Sequence, residues 1–115
     1  MPHCVIECSA DLADIVSFET LVKEVHDVTE SSGLFSTGDV KARLVLSDDY
    51  WVGGRREHFV HIICHILSGR TVLQRKQLAD SIVVTLCGLL PSVEMLSVDV
   101  REIDKNTYSN KKGLR

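Results

Sequence analysis

The segment HFVHIICHILSGRTVLQ, residues 58–74, contains a strand, a turn and the beginning of a helix in immediate succession. Its first eleven residues are rich in apolar and β-branched side chains, which predicts a strand. Thr71 and Gln74 have the spacing of a capping box, so a helix begins after Thr71. That helix carries apolar residues at helical spacing until Leu90 and Pro91 end it: Leu78, Ile82, Leu86 and Leu89.

The first half of the chain has the same order of elements. A strand begins beside Pro2 in the segment MPHCVIECS, residues 1–9, and one of its faces carries Cys4, Ile6 and Cys8. From about Ser17 the period changes to three and four residues, which predicts an amphipathic helix that ends near Gly33. Its apolar positions are Phe18, Leu21, Val22, Val25 and Val28.

Two further strands complete a duplicated pattern. VKARLVLS, residues 40–47, follows the first helix, and MLSVDVREI, residues 95–103, follows the second. A shift of about 58 residues aligns strand, helix and strand in the two halves. The predicted pseudo-repeats span about residues 2–54 and 58–111 of a single domain, residues 1–115.

A helix between two strands favours parallel pairing with a right-handed crossover. Two such β-α-β units predict an α+β fold, a four-stranded sheet with two helices on one face. Because the strands are expected to be apolar on both sides, the opposite face of the sheet needs a cover. Self-association of the chain would supply it.

Composition restricts the class of partner. The chain has 115 residues, 44% of them apolar, and a net charge of −3. Without a basic excess, we expect no nucleic-acid or membrane partner, and the predicted ligand is a small molecule. No apolar run approaches the ~20 residues of a membrane span, and no signal-peptide pattern precedes the first strand. We therefore expect a cytoplasmic protein.

The cysteines and histidines do not suggest a metal site. All four cysteines lie within apolar strand or helix segments and are predicted to be buried free thiols: Cys4, Cys8, Cys64 and Cys87. His61, Cys64 and His65 are close in sequence, but their surroundings are too apolar for a closed ligand loop. His61 and His65 are instead expected to be core or interface residues.

The segment HILSGRTVLQR, residues 65–75, resembles the strand, Gly-Arg-Ser/Thr turn and helix start of 4-oxalocrotonate tautomerase-type subunits. Pro2, at the head of the other repeat, is similar to the amino-terminal proline of the same superfamily. Together with the start MPHxxxECS and the doubled length, these features resemble the 5-carboxymethyl-2-hydroxymuconate isomerase family. The resemblance extends over essentially the whole chain.

This resemblance implies a cofactor-free isomerase that assembles as a homotrimer, with active sites near the subunit boundaries. In such enzymes the proline nitrogen transfers a proton on an enol or ketone acid, and arginines hold the carboxylates of the acid. The substrate implied is a dicarboxylate or tricarboxylate 2-hydroxy-dienoate from aromatic catabolism.

Pro2 has the chemistry of a base only after Met1 is removed. It is then a secondary amine, for which the ordinary α-amino pKa is about 7.7–8.0. Burial or nearby positive charge lowers such a pKa towards neutrality, where a base is effective. If Met1 is retained, the nitrogen is an amide, and Pro2 is only the first residue of a strand.

Three basic residues are candidates for binding the carboxylates of the substrate. Arg70 precedes the second helix, where its guanidinium could hold a carboxylate bidentately instead of pointing into solvent. Arg43 and Lys41 alternate with apolar residues on the second strand, either beside an anion or on an exposed face. The family resemblance implies arginine at both of these positions, so Lys41 is a departure; it lacks the planar fork of arginine.

Tyr50 and Trp51 precede a Val-Gly-Gly turn, where the superfamily often places an aromatic residue against the proline. An apolar wall there would lower the pKa of the amine by desolvation. Packing at a subunit contact is the alternative interpretation.

The sequence leaves other functions open. Amino-terminal prolines of this superfamily also serve hydration and dehalogenation, which product analysis would distinguish from isomerisation. A non-catalytic trimeric interaction protein would use Pro2 only structurally. A ferredoxin-like ligand-binding domain would share the order of elements but would not bring Arg70 close to Pro2.

Overall fold

The four strands and two helices occur in the predicted order. The computed structural model describes residues 1–115 throughout. Its elements are β1 (His3–Ser9), α1 (Phe18–Glu30), β2 (Lys41–Ser47), β3 (Phe59–Leu67), α2 (Val72–Leu89) and β4 (Met95–Ile103). Short 3-10 helices cover Ala10–Asp14 and Lys112–Leu114. No helix combines the length and the hydropathy that crossing a bilayer requires.

The strands form one mixed sheet in the order β2-β1-β3-β4. Each helix connects two parallel strands, β1 with β2 and β3 with β4, while β1 and β3 pair antiparallel at the centre. This is the predicted duplicated β-α-β architecture. The antiparallel centre places the amino end of β1 beside the carboxyl end of β3.

Both helices cover the same face of the sheet. Alternate residues of β1 and β3 point towards the helices and are fully or almost fully buried: Cys4, Ile6, Cys8, Val60, Ile62 and Cys64. They pack against the buried positions of the helices, which are Leu21, Val25, Leu78, Ile82 and Leu86. Each fully buried aliphatic side chain of this kind contributes about 1.5–3 kcal/mol to stability. The sequence predicted the apolar face of β1 and the buried positions of both helices, but it assigned no face to β3.

The helix termini also follow the sequence. Thr71 accepts a hydrogen bond from the backbone of Gln74, and the Gln74 side chain accepts one from the backbone of Thr71, so the capping box is complete. Ser17 caps α1 through Thr20. The chain leaves α1 through Gly33, whose φ of 77° is the left-handed conformation that glycine adopts easily.

The structure corrects the predicted repeat length. The starts of β1 and β3 are 56 residues apart, and the starts of the two helices are 54 apart. The shift of about 58 residues is therefore too long, because sequence alignment cannot place the unequal loops.

The open face of the sheet, away from the helices, is more polar than predicted. Val5, Val45 and Ile63 are apolar, but charged and polar side chains alternate with them: His3, Glu7, Lys41, Arg43, His61, His65, Ser97, Asp99 and Arg101. His61 lies 2.7 Å from the hydroxyl of Ser97 on this face. The expectation of an apolar face is thus only partly correct, because polar or charged residues alternate with the apolar ones on all four strands.

Three of the four cysteines are buried free thiols, as predicted, but Cys87 is exposed. It follows the buried Leu86 on α2 and so lies one residue away from the packed stripe of the helix. Burial raises the pKa of the Cys8 thiol to about 11. The Cys4 and Cys64 sulfurs are 3.2 Å apart across the β1 and β3 pair.

Candidate active site

Pro2 is buried at the amino end of β1. Its carbonyl accepts a hydrogen bond of 3.0 Å from the backbone nitrogen of Lys41, the first residue of β2. Because β1 and β2 are parallel, this bond starts their ladder and places the amino ends of both strands together. The second strand therefore delivers Lys41 and Arg43 to the neighbourhood of Pro2.

Arg70 reaches the same end of the sheet from β3. It follows the carboxyl end of that strand, which lies beside the amino end of β1. Its guanidinium donates to the carbonyl of Leu34 at 2.7 Å and to that of Leu67 at 3.3 Å. The ring centre of Phe35 lies 5.0 Å from the guanidinium carbon. These contacts hold a half-buried cation in a fixed place.

Leu34 and Phe35 were not predicted from the sequence as part of the site. They lie between α1 and β2, in a stretch where the sequence signalled only a helix end. No local signal connects a loop to an arginine 36 residues further along the chain.

The two cations of β2 lie on the open face of the sheet and are exposed. The Lys41 ammonium donates to the carbonyl of Asp39 at 2.5 Å. The Arg43 guanidinium donates to Nδ1 of His3 at 3.0 Å. His3 was assigned no chemical role from the sequence, but it is a direct neighbour of a candidate binding residue.

The electrostatics of this end favour a neutral amine. Burial lowers the pKa of the amino-terminal amine below its usual value. A hydrogen bond to Lys41 and the positive charges of Lys41 and Arg70 lower it further, against the opposing charge of Asp39. This amine belongs to Met1, one residue before Pro2. The same cations would act on an amine at Pro2 and would attract a carboxylated ligand.

A cavity of about 260 Å³ opens at this end on the open face. Its walls come from the amino terminus, the strands and the segment after β4: Met1, His3, Arg43, His65, Ile103 and Tyr108. The parallel pairing of β3 with β4 brings Ile103 to this end, and Tyr108 lies in the segment after β4. Neither residue was predicted from the sequence as part of the site.

Tyr50 and Trp51 lie at the opposite end of the same subunit. They follow the carboxyl end of β2, about 20 Å of strand away from Lys41. The Tyr50 hydroxyl donates to the Asp11 carboxylate, and its ring packs edge-on against Phe59. Trp51 is 76% exposed. One chain therefore brings Lys41, Arg43 and Arg70 together near Pro2, but not the two aromatic residues.

Comparison with models of known protein families identifies the family of this chain. The model of the 5-carboxymethyl-2-hydroxymuconate isomerase family matches residues 2–114. The chain belongs to this family. It is accordingly an isomerase with the tautomerase fold. No curated protein matches it in sequence.

Solved structures with the same fold include members of the 5-carboxymethyl-2-hydroxymuconate isomerase family and proteins of other names. An isomerase of that name from Deinococcus radiodurans R1 has a TM-score of 0.84 and 22% identity, over 96% of this chain and 88% of its own. A fused 4-OT, which forms a symmetric trimer, has a TM-score of 0.77 and 18% identity over 95% and 91%. A member of the cis-3-chloroacrylic acid dehalogenase family has a TM-score of 0.77 and 19% identity over 95% and 80%.

Proposed function

We propose that this isomerase shifts a proton on a carboxylated 2-hydroxymuconate-type dienol, with the Pro2 nitrogen as acid and base after removal of Met1. The observation that supports this proposal is the convergence of Lys41, Arg43 and Arg70 on the buried amino end of β1. A dicarboxylate is the ligand class that this charge would attract.

The reaction needs only proton transfer. The Pro2 amine takes the proton of the dienol hydroxyl, which leaves a dienolate, and then returns a proton to carbon as the double bond moves. The O–H bond is replaced by a C–H bond, and no electrons are exchanged with a cofactor. Arg43 and Arg70 would hold the carboxylates, and Lys41 would add positive charge beside the developing dienolate.

The setting of Pro2 suits this role. An α-amine has an ordinary pKa of about 7.7–8.0. Burial and the neighbouring cations, which already lower the pKa of the Met1 amine, would keep the Pro2 amine neutral at cellular pH. A neutral secondary amine can accept the proton without first losing one.

We further propose a homotrimer that acts in the cytoplasm in aromatic catabolism. The symmetric trimer formed by the fused 4-OT supports this assembly. The open face, where Val45 and Met95 are about half exposed, is the surface that subunits would cover. Tyr50 and Trp51 lie far from Pro2 of their own chain, so they would line the site of a neighbouring subunit.

A proline-based dehalogenase or hydratase is the second candidate. It is favoured by the fold that this chain shares with the cis-3-chloroacrylic acid dehalogenase family member. Product analysis with a 2-hydroxy-dienoate and with a chloroacrylate separates isomerisation from dehalogenation, because only dehalogenation releases chloride.

The decisive experiment compares two forms of one chain, verified by intact mass. One form begins at Pro2, released from a cleavable fusion, and the other retains Met1. Ketonisation of 2-hydroxymuconate is followed across pH. We expect the form with Met1 to be about 10²–10⁴-fold slower, the usual contribution of general acid-base catalysis. Equal rates would exclude the Pro2 nitrogen, and the absence of turnover in both forms would favour the dehalogenase, the hydratase or a non-catalytic protein.

A further inference from the structure

His3 lies between the catalytic end of β1 and the cations of β2. It follows Pro2 directly, and Arg43 donates from Nη1 to its Nδ1 at 3.0 Å. A guanidinium has five donors and no acceptor. Nδ1 of His3 must therefore carry a lone pair, which makes the imidazole neutral with its proton on Nε2.

The groups around His3 keep it in that form. Lys41 and Arg43 face it from β2, and His65 is its register partner on β3. Arg101 pairs with His65 from β4, and the amino terminus and Tyr108 share the same cavity. Partial burial, followed by the charges of Arg43, Lys41, the amino terminus and His65, lowers the pKa of His3 below its usual value.

No carboxylate lines this cavity. Its walls are Met1, His3, Arg43, His65, Ile103 and Tyr108. On the open face, Asp99 is bonded to Arg101 and Glu7 accepts from Ser47. His3 is thus the side-chain acceptor that holds Arg43. It uses one donor of the guanidinium and leaves the others for a carboxylate from outside.

We propose that His3 is a positioning residue, whose neutral Nδ1 orients the Arg43 guanidinium to receive a carboxylate of the substrate. This inference rests on the proposed function for the identity of that substrate. The pairing of His3 with Arg43 and its effect on dicarboxylate binding can be measured without turnover.

The test uses two substitutions that place an acceptor at different distances from the backbone. In His3→Asn, the side-chain oxygen takes nearly the position of Nδ1, whereas in His3→Gln it lies one bond further out. The probe is cis,cis-muconate, a dicarboxylate diene that has no hydroxyl group to ketonise. Each protein begins at Pro2, and circular dichroism and thermal melting confirm that both variants fold.

We expect His3→Gln to weaken muconate binding about tenfold, the effect of losing one hydrogen bond to a charged group. His3→Asn should remain within about threefold of the parent chain, because it keeps the acceptor. Equal affinities for all three proteins, or no binding to the parent, would overturn the proposal. Equal losses in the two variants would also overturn it, since the position of the acceptor would then not matter.

Nitrogen NMR of the imidazole provides a second test that is independent of binding. We expect the shift of a bare Nδ1 in the parent chain and a His3 pKa that rises in Arg43→Ala. A proton on Nδ1 at neutral pH would overturn the pairing. If these results hold while 2-hydroxymuconate is not turned over, the proposed reaction is wrong and the positioning of Arg43 stands.

Discussion

The two ends of the sheet are built from equivalent parts but differ in charge. At one end, Pro2 precedes β1, and Lys41, Arg43 and Arg70 approach it. At the other end, His58 precedes β3 in the equivalent place, with Nδ1 3.0 Å from the Ser9 hydroxyl. The neighbours there are the Asp11 carboxylate and Arg56, whose guanidinium carbon lies 4.3 Å from the Tyr50 ring centre.

The difference shows that duplication of the fold did not duplicate the site. Asp11 follows β1 in the region where Arg70 follows β3, so the second end has a negatively charged residue where the first has a positively charged one. At the second end, Asp11 is hydrogen bonded by Tyr50 and lies 3.5 Å from Arg56. The charges at the second end are thus paired within the chain. At the Pro2 end, positive charges are in excess and are available to an anion.

Among substitutions that compare the two ends, the largest effect should come from removing a cation at the Pro2 end. We expect Arg70→Ala to lower kcat/KM for 2-hydroxymuconate about 10- to 100-fold, because a charge-assisted hydrogen bond to the substrate is lost. Steady-state kinetics of the form that begins at Pro2 measures this. Size-exclusion chromatography should show unchanged assembly.

Arg55→Ala is the matched control at the other end. Arg55 is exposed and pairs with Glu57 at 2.8 Å, so its loss should leave kcat/KM within about twofold and stability nearly unchanged. If Arg55→Ala were as slow as Arg70→Ala, the two ends would not differ in the way that their charges indicate.

A smaller effect, on the free energy of unfolding, should distinguish the two helix starts. Thr71 begins α2 at the Pro2 end through a complete capping box, and Ser17 begins α1 at the other end through one bond of 3.4 Å. We expect Thr71→Ala to lower the free energy of unfolding by about 1–2 kcal/mol and Ser17→Ala by about 0.5 kcal/mol. Urea unfolding at a fixed protein concentration compares them, and a larger loss for Ser17→Ala would reverse the comparison.

The smallest effect is expected on thermal stability, from replacing Asp11 at the second end. The hydrogen bond from Tyr50, followed by Arg56, the local backbone and His58, lowers the pKa of Asp11 below its usual 3.8. A lowered pKa adds stability above the unfolded value, and this stability is lost as pH falls through the folded value. Asp11→Asn should therefore melt below the parent chain at neutral pH.

The difference between Asp11→Asn and the parent should shrink as pH falls below 3.8, and it should disappear once the carboxyl of the folded parent is also protonated. Thermal melting at several pH values measures this convergence. A constant difference at all pH values would show that Asp11 acts through packing and not through its charge.

The sequence predicted the helix-facing core and the start of α2 because both are written in local spacing. Ile6 and Ile82 were assigned to apolar faces from periods of two and of three to four residues, and both lie in the core. Cys87 was misassigned because an apolar residue next to a packed stripe resembles one within it. The repeat length was wrong since insertions in loops leave no periodic trace.

The candidate site was predicted in part for a similar reason. Pro2, Arg70, Arg43 and Lys41 stand in recognisable local patterns, and parallel pairing brings their strand ends together. Tyr50 stands in an equally recognisable pattern, but its distance from Pro2 within one chain depends on the direction of β2. That direction is a property of the whole sheet.

The sequence by itself determined the order of elements, the buried stripe of each helix and the family to which the chain belongs, because each depends on the spacing of neighbouring residues. Only the tertiary structure decided that Arg70 contacts Leu34 and Phe35. It also decided that His3 accepts a hydrogen bond from Arg43 and that Asp11 accepts one from Tyr50. These contacts join residues 35 to 40 positions apart, whose meeting depends on strand register and loop path. Spacing along the chain contains neither.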